Sequence, residues 1–358
     1  MTRSQTVLAL LPMLLTGLLG FHPYHESPPA QDEPSGAVPV QMEPAAAVVL
    51  GADSWAVVPD WGQQDDLTIG NTHGGVLVDP DGRVLYNTDT ERSILIHDAD
   101  GGFVGSLGSR FPGIHGMQLR IEDGVPYIYA AHLHGKQIVK LRMDGTHVWT
   151  MGVPMESGKY DDDPNAYNPT AIAVAPDGRI FVADGYGRNW IHVFGPDLRY
   201  LTSFGGRGNE DGRFVTCHGM IMDPSGAEPL LVICDRENRR VQRFTLDGEH
   251  VDTPVTDLRR PCSIAMWQGP DGHQLYAIAE LEGRVTLLDG DMQVLGHLGD
   301  NVDRSHWANN GVGKDAWAPG ITTAPHGVGF DADGNLYVQD WNANGRIHKF
   351  IRKSVEGS

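Results

Sequence analysis

The chain has 358 residues and a formal charge of -19 at neutral pH, long enough for a large core or for one domain assembled from repeats. That charge argues against nucleic acid or an anionic membrane surface as the main partner, because either polyanion would be repelled; an acidic exported protein that meets neutral or cationic ligands fits better. The 45 glycines and 23 prolines fall at intervals between apolar stretches, so they read as turns and not as disorder.

The first residues, MTRSQTVLALLPMLLTGLLG, set Arg3 before an apolar run from Val7 to Leu19. The run is too short to span a bilayer comfortably and is flanked as a secretory signal is. Residues 1–21 are therefore read as a signal peptide, which makes the protein secreted or periplasmic, with no membrane insertion after cleavage. Residues 22–45, rich in Pro, Ala and acidic side chains, suit a flexible linker. The folded domain is expected over residues 46–353.

From there one phrase recurs six times: NTHGGVLVDPDGRVLYNTDTERSILIHD, GIHGMQLRIEDGVPYIYAAHLHGKQIVKL, NPTAIAVAPDGRIFVADGYGRNWIHVF, TCHGMIMDPSGAEPLLVICDRENRRVQRF, RPCSIAMWQGPDGHQLYAIAELEGRVTLL and APHGVGFDADGNLYVQDWNANGRIHKF. Each gives three short apolar strands with an Asp/Gly turn after the first. In most copies a fourth follows a DG or GPD turn, as in MDGTHVWTMG. A lone four-stranded meander cannot bury both faces, whereas six packed radially bury nearly all of them. The expectation is an all-β fold, a six-bladed β-propeller with four antiparallel strands per blade. The last copy stops at Phe350 after its third strand, so the stretch AAAVVLGADSWAVV near residues 45–58 is expected to supply the missing outer strand and close the ring.

The inner strands open with His73, His115, Thr170, His218, Cys262 or Ser263, and His326. His115, His218 and His326 belong to blades two, four and six, which lie about 120° apart in a six-fold ring. Three imidazoles directed at the axis from such positions form a three-fold nitrogen site with a fourth position open, the arrangement of a catalytic zinc. His73 opens blade one in the same way and is read as a fourth ligand, a support for the site or a substrate contact. His132, His134, His192 and His348 share no register with the tunnel and are read as surface or packing residues. Asp184, Asp235 and Asp340 end second strands and are read as turn and inter-blade hydrogen-bonding residues. Cys217, Cys234 and Cys262 match no zinc-ribbon or CxxC spacing, and at most one pair is open to them. Two long insertions, MESGKYDDDPNAYN and DNVDRSHWANNGVGKDAWAPGITT, are expected on the histidine face, where they could cover a metal. Within the first, Asp161, Asp162 and Asp163 read as a solvated loop.

The repeats resemble NHL repeats, and their order resembles the peptidyl-α-hydroxyglycine α-amidating lyases, six-bladed propellers with zinc in the central tunnel. The similarity runs over roughly residues 65–352 and is carried by PTAIAVAPDGRIFVADGYGRN, by HGMIMDPSG with CDREN, and by PHGVGFDADGNLYV. The resemblance implies zinc, or another divalent transition metal, on His115, His218 and His326. It also implies a catalytic tyrosine at Tyr186 and a carboxylate-holding arginine at Arg236. Two positions depart from the family: its first-blade arginine has only Arg92 as a nearby counterpart, and its calcium-holding aspartate after the last histidine is Gly327 here.

The reading that follows is a secreted metal-dependent lyase-like enzyme, monomeric, acting on a small-molecule or peptide substrate. The alternative is a noncatalytic NHL module that presents its loop face to a peptide, glycan or protein. Calcium lactonase propellers are a third class, disfavoured because hard calcium prefers carboxylate and amide oxygens to imidazole.

Overall fold

Along each repeat, apolar side chains feed both faces of a short sheet, and an Asp/Gly turn returns the chain beside itself. In the computed structural model, which describes residues 47–64 and 66–355, the six copies form six antiparallel sheets. The inner strands are Thr72–Val78, Ile114–Glu122, Ala171–Val174, Cys217–Asp223, Pro261–Gln268 and Pro325–Phe330. The signal peptide and the linker lie outside the described residues. Among the described residues no helix is long and apolar enough to cross a membrane.

The core is a ring of blade-to-blade interfaces. Phe181 and Phe214 meet Leu231 and Phe244 between blades three and four, while Leu85 and Ile94 meet Ile128 and Val139 between blades one and two. Four further clusters complete the circuit, the last joining Tyr86 of blade one to Tyr337 of blade six. Each blade thus buries its faces against its neighbours, as stacked repeats must.

Closure follows the expectation and then exceeds it. Asp53–Val58 pairs antiparallel with Arg346–Ser354, Asp53 opposite Ser354 and Val58 opposite Lys349. Trp55 of the closing strand is 1% exposed and packs with Leu336 and Phe350. Blade six then gains a fifth strand, Val48–Leu50, where four were expected. The addition has a packing reason: a Cβ placed on Gly296 of blade five would lie 2.4 Å from Leu50, so the bare glycine makes room for that leucine.

The carboxylates that end second strands hold the chain entering their own blade, and in this they differ from the inter-blade role expected of them. Asp184 accepts from the Asn168 and Arg188 amides and from the Tyr160 hydroxyl. Asp235 accepts from the Val215 amide and from Arg240, Asn238 and Gln242. Asp340 accepts from the Thr323 amide and hydroxyl and from the Ala324 amide. All three are fully buried, so these bonds replace the water each carboxylate lost.

The insertions divide in their use. The first packs onto blade three through buried Tyr160 and Tyr167, with Asp162 paired to Arg188 and Asp163 capping a short turn. The second sends Ala308 to the tunnel mouth, where its amide donates to the Leu281 carbonyl.

Candidate metal centre

The repeated His-Gly phrase has a local cause that the sequence did not disclose. At the start of each histidine-bearing inner strand the ladder slips by a residue or more, between Thr72 and Val76, Ile114 and Met117, Cys217 and Met220, and Pro325 and Gly327. The histidine sits in that slip, and in blades two, four and six it reaches across to the next blade. His115 Nδ1 lies 2.7 Å from the Thr170 carbonyl oxygen, and His218 Nδ1 lies 2.7 Å from that of Cys262. His326 Nδ1 lies 3.2 Å from both the carbonyl oxygen and the amide nitrogen of Gly74. The following glycine admits the same carbonyl: a Cβ on Gly116, Gly219 or Gly327 would lie 2.5, 2.4 or 2.4 Å from the Thr170, Cys262 or Gly74 oxygen. No side chain fits there without moving that backbone, so all three positions are held to glycine.

The three rings converge at one end of the tunnel. Their centroids are 4.7 Å apart for His115 and His218, 4.7 Å for His218 and His326, and 4.9 Å for His115 and His326. His73 joins them, 4.8 Å from His115 and 4.6 Å from His326, with its Nδ1 held 3.3 Å from Asp89 Oδ2. Thr170 completes the circle in blade three but gives its hydroxyl to the Cys217 and Ala183 carbonyls.

For His115 and His218, whose Nδ1 atoms meet only a carbonyl, Nε2 carries the lone pair; His326 Nδ1 meets both the carbonyl and the amide of Gly74. The Nε2 atoms of His115 and His326 are buried and have no partner, which in a native interior calls for an unseen group. Burial first, and the neighbouring histidines and Arg236 second, hold all three rings well below their ordinary pKa. They are neutral at physiological pH, the state a metal ligand needs. Carbonyl-fixed imidazoles with open Nε2 atoms fit a transition ion. Donor atoms of His73, His115 and His326 lie within 4.8 Å of one another, and so do those of His218, Cys262 and His326. Cys262 was visible in the sequence as a strand-opening residue but was not read as a donor.

Tyr186 and Arg236 stand over this ring. The Tyr186 hydroxyl lies 2.8 Å from His218 Nε2 and accepts from Arg236 Nη1 at 3.1 Å. Burial raises the phenol pKa, and Arg236 opposes the rise. Burial likewise opposes the charge on Arg236, but Tyr186, Cys262 and Glu237 outweigh it and hold the guanidinium above its ordinary value. Glu237 bridges Arg236 and Arg260. Tyr186, Arg236, Arg260, His73, His326 and Trp341 line a chamber of about 310 Å³ on the loop side. A second chamber of about 290 Å³ runs down the tunnel from His115, His218 and His326. His326 faces both, so the histidine ring divides them.

Other sequence candidates fall elsewhere. Arg92 donates to the Thr68 and Ile69 carbonyls and does not line the chamber. His192 and His348 are buried beside Tyr160 and Asp340, His132 is buried and bonded to the Pro112 carbonyl, and His134 is exposed 4.0 Å from Asp89. The three cysteines are free and buried.

Fold and repeats together define a six-bladed propeller. The NHL repeat family matches residues 167–194. By sequence the chain is 27% identical over 196 residues to a "probable peptidyl-alpha-hydroxyglycine alpha-amidating lyase" of Caenorhabditis elegans, covering 53% of this chain and 51% of the relative. It is 26% identical over 252 residues to peptidyl-glycine alpha-amidating monooxygenase A of Xenopus laevis, covering 68% of this chain and 25% of the relative. The chain therefore spans about half of one curated relative and a quarter of the other. In fold it is similar to a gluconolactonase of Xanthomonas campestris, with a TM-score of 0.58 at 14% identity over 90% of this chain and 99% of that one. It is also similar to a streptogramin B lyase, with a TM-score of 0.52 at 15% identity over 84% and 98%.

Proposed function

We propose that the chain is an exported, metal-dependent lyase that acts on a small or peptidyl substrate of the α-hydroxyglycine type. The observation that carries this reading is the ring of imidazoles with open, buried Nε2 atoms, set directly beneath a tyrosine–arginine pair. His115, His218 and His326 would hold the ion, with His73 as a further candidate. Zinc, or another divalent transition metal, would supply Lewis acidity toward a substrate oxygen when bound.

The residues of this chain account for the rest of the chemistry. His218 with its Nδ1 proton on the Cys262 carbonyl is an acceptor at Nε2, so the 2.8 Å contact is a Tyr186 O–H donating to it. When Nε2 of His218 is engaged as a ligand, the phenol loses that acceptor and keeps Arg236 as a donor, which favours the anionic oxygen. Tyr186 is then placed to take the proton of a substrate hydroxyl. Breaking the adjacent carbon–nitrogen bond turns the hydroxyl carbon into a carbonyl and leaves the nitrogen, once protonated, as an amide. Arg236, fixed on one side by Glu237, has the geometry to pair with the substrate carboxylate.

The test is direct. Protein reconstituted with zinc, cobalt or iron is offered a short peptide ending in α-hydroxyglycine, and the products are followed by mass spectrometry. The reading expects metal-dependent release of the peptide amide and a two-carbon aldehyde acid. Metal-loaded protein that leaves the peptide intact would show that the reaction assignment is wrong.

A further inference from the structure

Cys262 occupies in blade five the position that histidine occupies in blades one, two, four and six. Its strand pairs Pro261 with Glu280 and Ser263 with Ala279, leaving Cys262 in the register slip, as His326 lies in the slip between Pro325 and Gly327. The ladder therefore settles which of Cys262 and Ser263 faces the axis: Cys262 lies at the histidine position. Its side chain is 1% exposed and in no disulfide. Its sulfur and one ring nitrogen each of His218 and His326 lie within 4.8 Å of one another. An independent observation points into the same space: Nε2 of His326 is buried there without a partner, on a residue only 2% exposed.

Five of the six blades thus present a metal-capable donor at one register position. A set of imidazoles alone accepts many divalent ions, whereas one that adds sulfur favours thiophilic ions over harder competitors.

We propose that Cys262 is a metal ligand, and that the tunnel end is a mixed nitrogen–sulfur centre for a thiophilic divalent ion such as zinc or cobalt(II). The inference rests on the metal reading above and narrows the kind of ion. Cys262 joins His218 and His326 in holding the ion, and its proton is released to solvent on binding.

X-ray absorption on the full chain reconstituted with zinc reads the ligand atoms without reference to activity. A sulfur scatterer at about 2.3 Å is expected beside nitrogen at about 2.0–2.1 Å. With cobalt(II) the same contact is expected as a sulfur-to-cobalt charge-transfer band in the near ultraviolet. Cys262→Ser should lose the sulfur scatterer and the band while still taking up the ion. Cys234→Ala, on the second strand of blade four, should keep both. A shell of nitrogen and oxygen alone in the unmodified protein would overturn the role of Cys262 and leave the histidine site standing. Sulfur that persists in Cys262→Ser would overturn it as well. Protein that binds no ion at all would overturn this inference together with the metal reading beneath it.

Discussion

Two positions in the repeat carry polar residues into the interior of several blades, and aspartate and histidine are used there in opposite ways. At the end of the second strand, Asp184, Asp235 and Asp340 bond both carboxylate oxygens to the amides and side chains of their own blade. At the slip in the inner strand, His115 and His326 bond one nitrogen across the blade boundary and leave the other buried and unpartnered. A repeated polar residue whose every acceptor is satisfied holds the fold together. One that keeps an atom free at the axis lowers stability unless something binds it, and that is where function is to be sought.

The largest effect that would sharpen this contrast lies above the ring. Tyr186→Phe keeps the ring but removes the hydroxyl that touches His218 and Arg236. Turnover should fall by about 10²–10⁴-fold, with ion content and melting temperature unchanged. Equal turnover in the variant would remove Tyr186 from the mechanism.

Next comes the scaffold position. Asp340→Ala strands the Thr323 and Ala324 amides and leaves Arg346 and His348 buried beside no carboxylate. Urea unfolding should register a loss of about 3–5 kcal/mol, while the folded fraction still takes up its ion. A variant of near-normal stability that loses the ion would reverse the two roles.

A smaller effect comes from pH. Burial lowers His97 from 6.5 to about 4, and lowers His192 from 6.5 to about 3. Below pH 6.5 the unfolded chain takes up these protons before the folded one, so stability falls as pH drops, by about 1.4 kcal/mol per unit for each ring. Asp184 runs the other way: burial raises it from 3.8 to about 6, so the folded chain takes its proton first and gains stability over that window. Two rings outweigh one carboxyl, and urea midpoints should decline from pH 7 to pH 4. A midpoint that rises over that range would place the buried rings in a charged state.

The fold was legible because each blade is written out locally. Alternation, Asp/Gly turns and the missing fourth strand after Phe350 together implied six blades and a closing strand near residues 45–58, which the structure gives as Asp53–Val58. The fifth strand was not legible, since three residues, Val48–Leu50, carry no periodicity, and their reason is a glycine in a different blade. At the site, the register of His73, His115, His218 and His326 could be read from the shared phrase, and the structure gathers all four. The carbonyl partners of the rings could not, because each belongs to the next blade. The donor position of Cys262 was hidden by the slip, which leaves Cys262 and Ser263 equivalent in a linear reading. Arg92, the nearest counterpart in sequence to the resembling family's first-blade arginine, turns its guanidinium to the Thr68 and Ile69 carbonyls.

The central claim, that alternate blades share one ion, is tested most directly by metal stoichiometry. Untagged protein reconstituted with zinc should hold about one ion per chain. His115→Ala, His218→Ala and His326→Ala should each weaken binding by more than the roughly 10–100-fold that changes in a ligand's supporting partners cost, while His132→Ala should keep the ion. One ion per chain that survives all three substitutions would contradict the account and make the shared register a packing feature of the repeat.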